Sequence, residues 1–194
     1  MSVKIFGVTI EISYIFCCLI TLFVAIDRTG LLIPLIVSML LHEFAHVSVL
    51  LLFGCKLKKI RLLPGLIGVD YKCIPDKSAT VISLLSGPIS NFIAAYVCFL
   101  SDYNTLFGIN LILGIVNILP CSGLDGGAVI ETTLCGILSN KHINIVMLIL
   151  TVLTVMMLIL FNIIYLEMNY SVIIFCLYLI SPIILKILLK ERRN

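Results

Sequence analysis

The sequence predicts an all-α polytopic membrane protein with a few short interfacial β-strands. Hydrophobic residues make up 61% of the chain and charged residues 12%, and the mean hydropathy is +1.24, far above that of soluble domains. A chain of 194 residues has room for about six spans of roughly 20 residues joined by short loops. We therefore expect a single membrane-embedded domain over residues 1–194, with no separate soluble domain.

Two β-prone stretches interrupt the apolar pattern. Residues 3–11 partly alternate in polarity and predict an interfacial strand before the first span. Residues 57–73 carry two β-prone runs separated by Pro64 and Gly65, which predicts a hairpin at the membrane surface. The six predicted spans are about residues 12–26, 31–53, 79–100, 106–129, 143–166 and 171–189.

The positive charges predict the orientation. With six spans, both termini and the even-numbered loops lie on one side, and every lysine and arginine except Arg28 falls there, including Arg192 and Arg193 near the C-terminus. Since positive loops stay on the cytoplasmic side, we expect both termini in the cytoplasm of a bacterial cell. The eight cysteines show no C-x-x-C spacing, so we expect reduced, apolar filler rather than disulfides.

The chemistry begins with an H-E-x-x-H stretch, H-E-F-A-H at residues 42–46, inside the second predicted span. Residues four apart share one helix face, so His42 and His46 can bind one metal ion. Glu43 lies where a carboxylate can take a proton from metal-activated water. A charged group in the hydrocarbon costs roughly 2.5–3.5 kcal/mol, so the cluster needs a compensating partner, for which a metal ion is the obvious choice.

A third ligand has to come from another span, because catalytic zinc typically has three protein ligands and one open position. His142 lies in a loop, and the other acids inside apolar stretches lie near span ends. Asp125 is therefore the best third ligand. Pro120 would break the helix so that Asp125 can turn toward the metal, and the glycine pair after it allows close approach.

These motifs together resemble a known family. H-E-F-A-H and the later N-I-L-P-C-S-G-L-D-G-G at residues 117–127 resemble the two signature motifs of the site-2 proteases, intramembrane zinc metalloproteases of peptidase family M50. S-G-P-I-S-N at residues 86–91 resembles the G-P-x-x-N element between them. The resemblance covers about residues 1–135. The six spans resemble the subgroup with a sporulation factor that processes a pro-sigma factor, without that subgroup's C-terminal regulatory domain.

The resemblance implies a role for each matched residue. The implied ligands of one Zn²⁺ per chain are His42, His46 and Asp125. Glu43 would act as general base or acid, and Asn91 and Asn117 would steady the substrate strand or the oxyanion.

Structural interpretations remain open beside these roles. The histidines and Glu43 would then form a satisfied polar cluster between helices, Asp125 would be a cap or turn residue, and the two asparagines would bond between helices. Cys121 replaces a proline or other small residue of the family motif, and packing competes there with a metal or redox role.

The sequence thus predicts an intramembrane zinc metalloprotease that cleaves membrane-associated or single-pass proteins within or near the bilayer, on the cytoplasmic side. The resemblance suggests regulated proteolysis of a transcription-factor precursor or an anti-sigma factor, with inhibitory membrane partner proteins and no nucleic acid. The alternative is a metal-ion transporter or channel that uses the same ligands as a transit site. The outer halves of spans 2–4 offer it almost no polar path, and an inactive scaffold would have no use for Glu43.

Overall fold

The fold is mostly helical, with one small sheet near the N-terminus. The computed structural model describes residues 2–5, 8–63, 66–72, 75–165 and 169–191. In chain order, the elements are β1 (Ser2–Ile5), β2 (Val8–Ile12), α1 (Tyr14–Ile26), α2 (Leu32–Leu52), β3 (Leu57–Leu63), β4 (Leu66–Tyr71), α3 (Lys77–Leu100), α4 (Asn104–Ile118), α5 (Asp125–Leu134), α6 (Asn140–Tyr165) and α7 (Tyr170–Glu191). They form two compact units, Met1–Ile115 and Val116–Asn194, which are described separately.

In the first unit, the two β-prone stretches join into one four-stranded sheet of order β1-β2-β3-β4. The pairs β1–β2 and β3–β4 are antiparallel, whereas β2 runs parallel to β3, with Thr9 opposite Lys59 and Ile12 opposite Leu62. Lys59 also forms an ion pair with Glu11 across this junction, at 2.7 Å. The sequence predicted a single N-terminal strand and a separate hairpin, and both expectations were incomplete because strand pairing over this distance leaves no local signal.

Aspartate side chains accept backbone N–H groups near the starts of α3 and α2. The Asp76 carboxylate accepts the backbone N–H of Ala79 at 2.8 Å and so caps α3. Ahead of α2, Asp27 accepts the backbone N–H groups of Thr29, Gly30 and Leu32. These hydrogen bonds, that of Leu32 above all, lower the pKa of Asp27 from 3.8 to about 2.

The second unit contains the α4 C-terminus and α5–α7. The segment predicted as one span, residues 106–129, is two helices, since α4 ends at Ile118 and α5 starts at Asp125. Pro120 lies in the break, as its missing N–H and ring clash require. Cys121, Leu124 and Leu179 are buried in the core of this unit, with Val155 and Cys176.

Helix lengths support only part of the six-span expectation. Within the described residues, α2, α3 and α6 are long and apolar enough to cross a membrane, while α1, α4 and the Tyr170–Pro182 part of α7 are apolar but shorter. Many large apolar side chains are exposed on these helices, for example Phe44 and Leu52 on α2, as expected of surfaces that face lipid.

Some predicted features lie in residues that the structure does not describe, and one prediction is wrong. The predicted hairpin turn at Pro64 and Gly65, the predicted end of the fifth span at 166, and Arg192 and Arg193 lie outside the described residues. Cys55 is buried between α2 and β3 and is disulfide-bonded, so the expectation of reduced cysteines is wrong at this position.

Candidate metal centre

The two histidines of the H-E-x-x-H stretch lie on one face of α2 and point toward α3. His42 is 6% exposed and His46 is partly buried. Their rings meet edge to face with centroids 4.7 Å apart, and their Nε2 atoms are 3.1 Å apart. The predicted geometry of the pair is therefore present on a helix that is long enough to span a membrane.

The opposite nitrogen of each ring is held by α3. His42 Nδ1 lies 2.6 Å from Oδ1 of Asn91, and His46 Nδ1 lies 2.7 Å from the backbone carbonyl oxygen of Ser83. Both oxygens only accept hydrogen bonds, so both Nδ1 atoms carry the proton and donate it. The Ser83 hydroxyl in turn donates to the His46 carbonyl oxygen at 3.0 Å, which makes the α2–α3 contact reciprocal.

These tautomers determine what the site can bind. A neutral ring protonated at Nδ1 presents an unprotonated Nε2, and here two such lone pairs converge on the same space. Two acceptors at this distance repel each other unless a cation lies between or beside them. Metal-bound histidines commonly donate the other ring N–H to a carbonyl in this way. The donor set therefore fits a divalent ion such as zinc.

Gly87 of α3 makes room for the two rings. An added Cβ at this position would overlap the His46 ring and lie 2.7 Å from Cε1 of His42. Only glycine lets the α3 backbone come this close. Gly87 lies inside a helix, so glycine is needed here because it lacks a side chain and not because of its conformational freedom.

Glu43 is partly buried and follows the first histidine of the pair. Its negative charge affects the pKa of Tyr71 in the sheet. Tyr71, the last residue of β4, packs against Leu50, Cys55 and Ala79. Burial raises the pKa of Tyr71, and the negative charge of Glu43 raises it further. The end of an edge strand therefore lies within electrostatic reach of the carboxylate predicted to be catalytic.

Asn91 was expected to steady the substrate strand or the oxyanion, and this role stays a prediction. In the structure, Asn91 is fully buried, and its side chain binds His42, Asn110 and the carbonyl oxygen of Ser38. Asn110 was not predicted from the sequence, although an amide inside the apolar stretch of α4 was a usable signal.

The other two predicted residues belong to the second unit. Asp125 is the first residue of α5 and Leu124 holds the N-cap position, so Asp125 is not the helix cap. The helix N-terminus stabilises its carboxylate. The following glycine pair packs on the chain before it: an added Cβ would overlap the Ile118 carbonyl at Gly126 and the Cys121 carbonyl at Gly127. Asn117 lies in the last turn of α4. The ligand role of Asp125 and the substrate role of Asn117 stay predictions.

Comparisons with known proteins agree with this chemistry. Residues 15–121 match the family model described as Peptidase M50B-like. The chain is 31% identical over 160 residues to a zinc metalloprotease of Methanocaldococcus jannaschii, covering 72% of this chain and 45% of that protein. It also resembles a solved site-2 protease from the same organism, with a TM-score of 0.61, 26% identity and 92% of each chain covered.

The chain belongs to the Peptidase M50B-like family, since the family model matches more than half of its length. Together with the three long apolar helices, this membership identifies an integral membrane protein. The chain spans less than half the length of the curated relative it matches.

Proposed function

We propose that this protein is an intramembrane zinc metalloprotease that cleaves membrane-associated or single-pass proteins within or near the bilayer. The observation that carries the proposal is the histidine pair, whose Nε2 atoms converge while both Nδ1 atoms are held by carbonyl oxygens of α3. The matched relatives, named as a zinc metalloprotease and a site-2 protease, support the same chemistry.

His42, His46 and Asp125 would hold the ion, which leaves one position open to water or substrate. A bound zinc ion would act as a Lewis acid and lower the pKa of water toward about 7. The donor set supports zinc in particular, because two imidazoles and one carboxylate are a common set for catalytic zinc.

Glu43 supplies the acid–base step. It follows the first ligand on α2, which would bring its carboxylate beside the reacting centre. It would take the proton of the attacking water and later deliver it to the leaving amine. Asn117, in the last turn of α4, is the proposed residue for steadying the substrate or the oxyanion, and its amide can donate to a developing negative charge.

The substrate would enter as an extended strand. A helical segment hides its backbone and has to unwind before attack, and an edge strand offers it new backbone partners. The sheet order makes β4 such an edge, and the effect of Glu43 on the pKa of Tyr71 supports its nearness to the active carboxylate. An extended segment paired with β4 would thus lead toward Glu43.

The lysine and arginine distribution supports an orientation with both termini and the active site toward the cytoplasm. That the membrane is bacterial is proposed from the resemblance alone. The proposed substrates are a transcription-factor precursor or an anti-sigma factor. A role in sporulation and control by inhibitory membrane partner proteins are proposed from the resemblance alone.

The deciding experiment compares the wild-type chain with Glu43→Gln in detergent. Metal content is measured first, followed by cleavage of fluorescein-labelled casein, a probe without helices to unwind. The same chains in vesicles are then tested for zinc uptake. Gln has nearly the shape of Glu but cannot accept a proton at neutral pH.

If the protein is a protease, both chains should contain about one zinc ion. Only the wild type should cleave casein, and neither chain should take up zinc. Equal cleavage by Glu43→Gln would refute the role of Glu43. If both chains take up zinc and neither cleaves casein, the protease proposal would be wrong and the transporter alternative would be supported.

A further inference from the structure

A line of buried amides leads from His42 to α4, away from the residues that the motifs single out. Asn91 Nδ2 donates to Oδ1 of Asn110 at 2.9 Å. Asn110 Nδ2 donates to the Ser38 hydroxyl and to the carbonyl oxygen of Leu106, each at 2.9 Å. Asn91, Asn110 and Ser38 are 0%, 3% and 1% exposed, so their partners are protein atoms of α2, α3 and α4.

The partners fix the orientation of both amides. The backbone carbonyl oxygens of Leu106 and Ser38 only accept, so the NH₂ groups of Asn110 and Asn91 have to face them. The Oδ1 atom of Asn110 then faces Asn91, and the Oδ1 atom of Asn91 faces His42. The orientation of Asn110 therefore determines that of Asn91, and the orientation of Asn91 determines which ring nitrogen of His42 carries the proton.

Asn110 supplies the stronger restraint on Asn91. The other acceptor for Asn91 Nδ2 is the carbonyl oxygen of Ser38 at 3.3 Å, compared with 2.9 Å for Asn110 Oδ1. Without Asn110 Oδ1, the amide of Asn91 loses its shorter bond and can turn. A turned amide presents NH₂ to His42 Nδ1, and the ring then has to carry its proton on Nε2, where the metal should bind.

We propose that Asn110 is a positioning residue of the metal centre, which acts through Asn91 to keep the Nε2 atom of His42 unprotonated and aimed at the ion. Asn110 touches neither substrate nor metal in this role. The inference rests on the proposed function, because it takes the ion to be the zinc of the peptidase.

The test compares three variants with the wild-type chain in detergent. Asn110→Leu removes the acceptor at similar volume, whereas Asn110→Asp keeps an acceptor oxygen toward Asn91. Asn162→Leu is the matched control, because Asn162 is equally buried and bonds with both amide atoms to the backbone of Asn169. Zn²⁺ affinity is measured by chelator competition, the visible spectrum by Co²⁺ substitution, and folding by thermal unfolding.

The inference expects Asn110→Leu to bind zinc about 10- to 100-fold more weakly, the usual effect of losing a residue behind a ligand, with a changed cobalt spectrum. Asn110→Asp and Asn162→Leu should stay within a few-fold of the wild type. Wild-type affinity in Asn110→Leu would overturn the inference, as would equal losses in Asn110→Leu and Asn110→Asp or in Asn110→Leu and Asn162→Leu. A wild-type chain that binds no zinc would instead overturn the proposed function itself.

Discussion

Replacing Gly87 by alanine adds one methyl group at the point where α3 touches both imidazoles. The new Cβ would overlap the His46 ring and lie 2.7 Å from Cε1 of His42, whereas non-bonded carbons settle about 3.5–4.0 Å apart. The rings or the helices therefore have to move by about 1 Å, while metal–ligand distances tolerate only about 0.2 Å. We expect zinc affinity to fall at least about 100-fold, or about 2.8 kcal/mol.

The loss should not come from a weakened helix. Alanine is favoured over glycine in a helix interior by about 1 kcal/mol, so α3 by itself gains. Gly108→Ala in α4 is the matched control, because its added Cβ meets nothing within 4 Å. Chelator competition on the two variants and the wild type, with unfolding curves alongside, measures the difference. Unchanged zinc affinity in Gly87→Ala would refute the close approach of α3 to the histidine rings.

Three further outcomes follow from the residues described above. Asp125→Ala should lose its zinc or bind it far more weakly in metal analysis, whereas one tightly held zinc per chain would remove Asp125 from the ligand set. Asp76→Ala loses the cap on Ala79 and should cost about 1 kcal/mol in unfolding experiments, with zinc content unchanged; an equal loss of zinc would show that the cap supports the site. The carboxylate of Asp27 has a pKa of about 2, below its ordinary 3.8, so its contribution to stability is complete above pH about 4 and disappears as pH falls through about 2. Asp27→Asn should therefore flatten the stability curve over this range, and a curve parallel to that of the wild type would contradict the assignment.

The sequence predicted the site best where the chemistry is local. The spacing of His42 and His46 follows from the helix repeat alone, and a charge at Glu43 inside an apolar helix is informative because it is costly there. Pro120 marked the interruption between α4 and α5, although the length of the break was missed.

What the sequence could not predict are interactions between distant segments. The partner of His46 Nδ1 is a backbone carbonyl oxygen, that of Ser83, and any residue type provides one. The contact of Asn91 with Asn110 depends on how α3 and α4 rotate against each other. The pattern of apolar residues does not fix that rotation, because lipid-facing and buried sides of these helices are both apolar.

The parallel pairing of β2 with β3 has a consequence for how the chain is made. Strand β2 ends at Ile12 and its partner begins at Leu57, so α1 and α2 are synthesised before the sheet can close. At about 5–20 residues per second, the N-terminal hairpin waits for several seconds with one edge of β2 exposed. During that interval, an unpaired edge can join the wrong strand. Completion of the sheet thus depends on how soon α1 and α2 are in place.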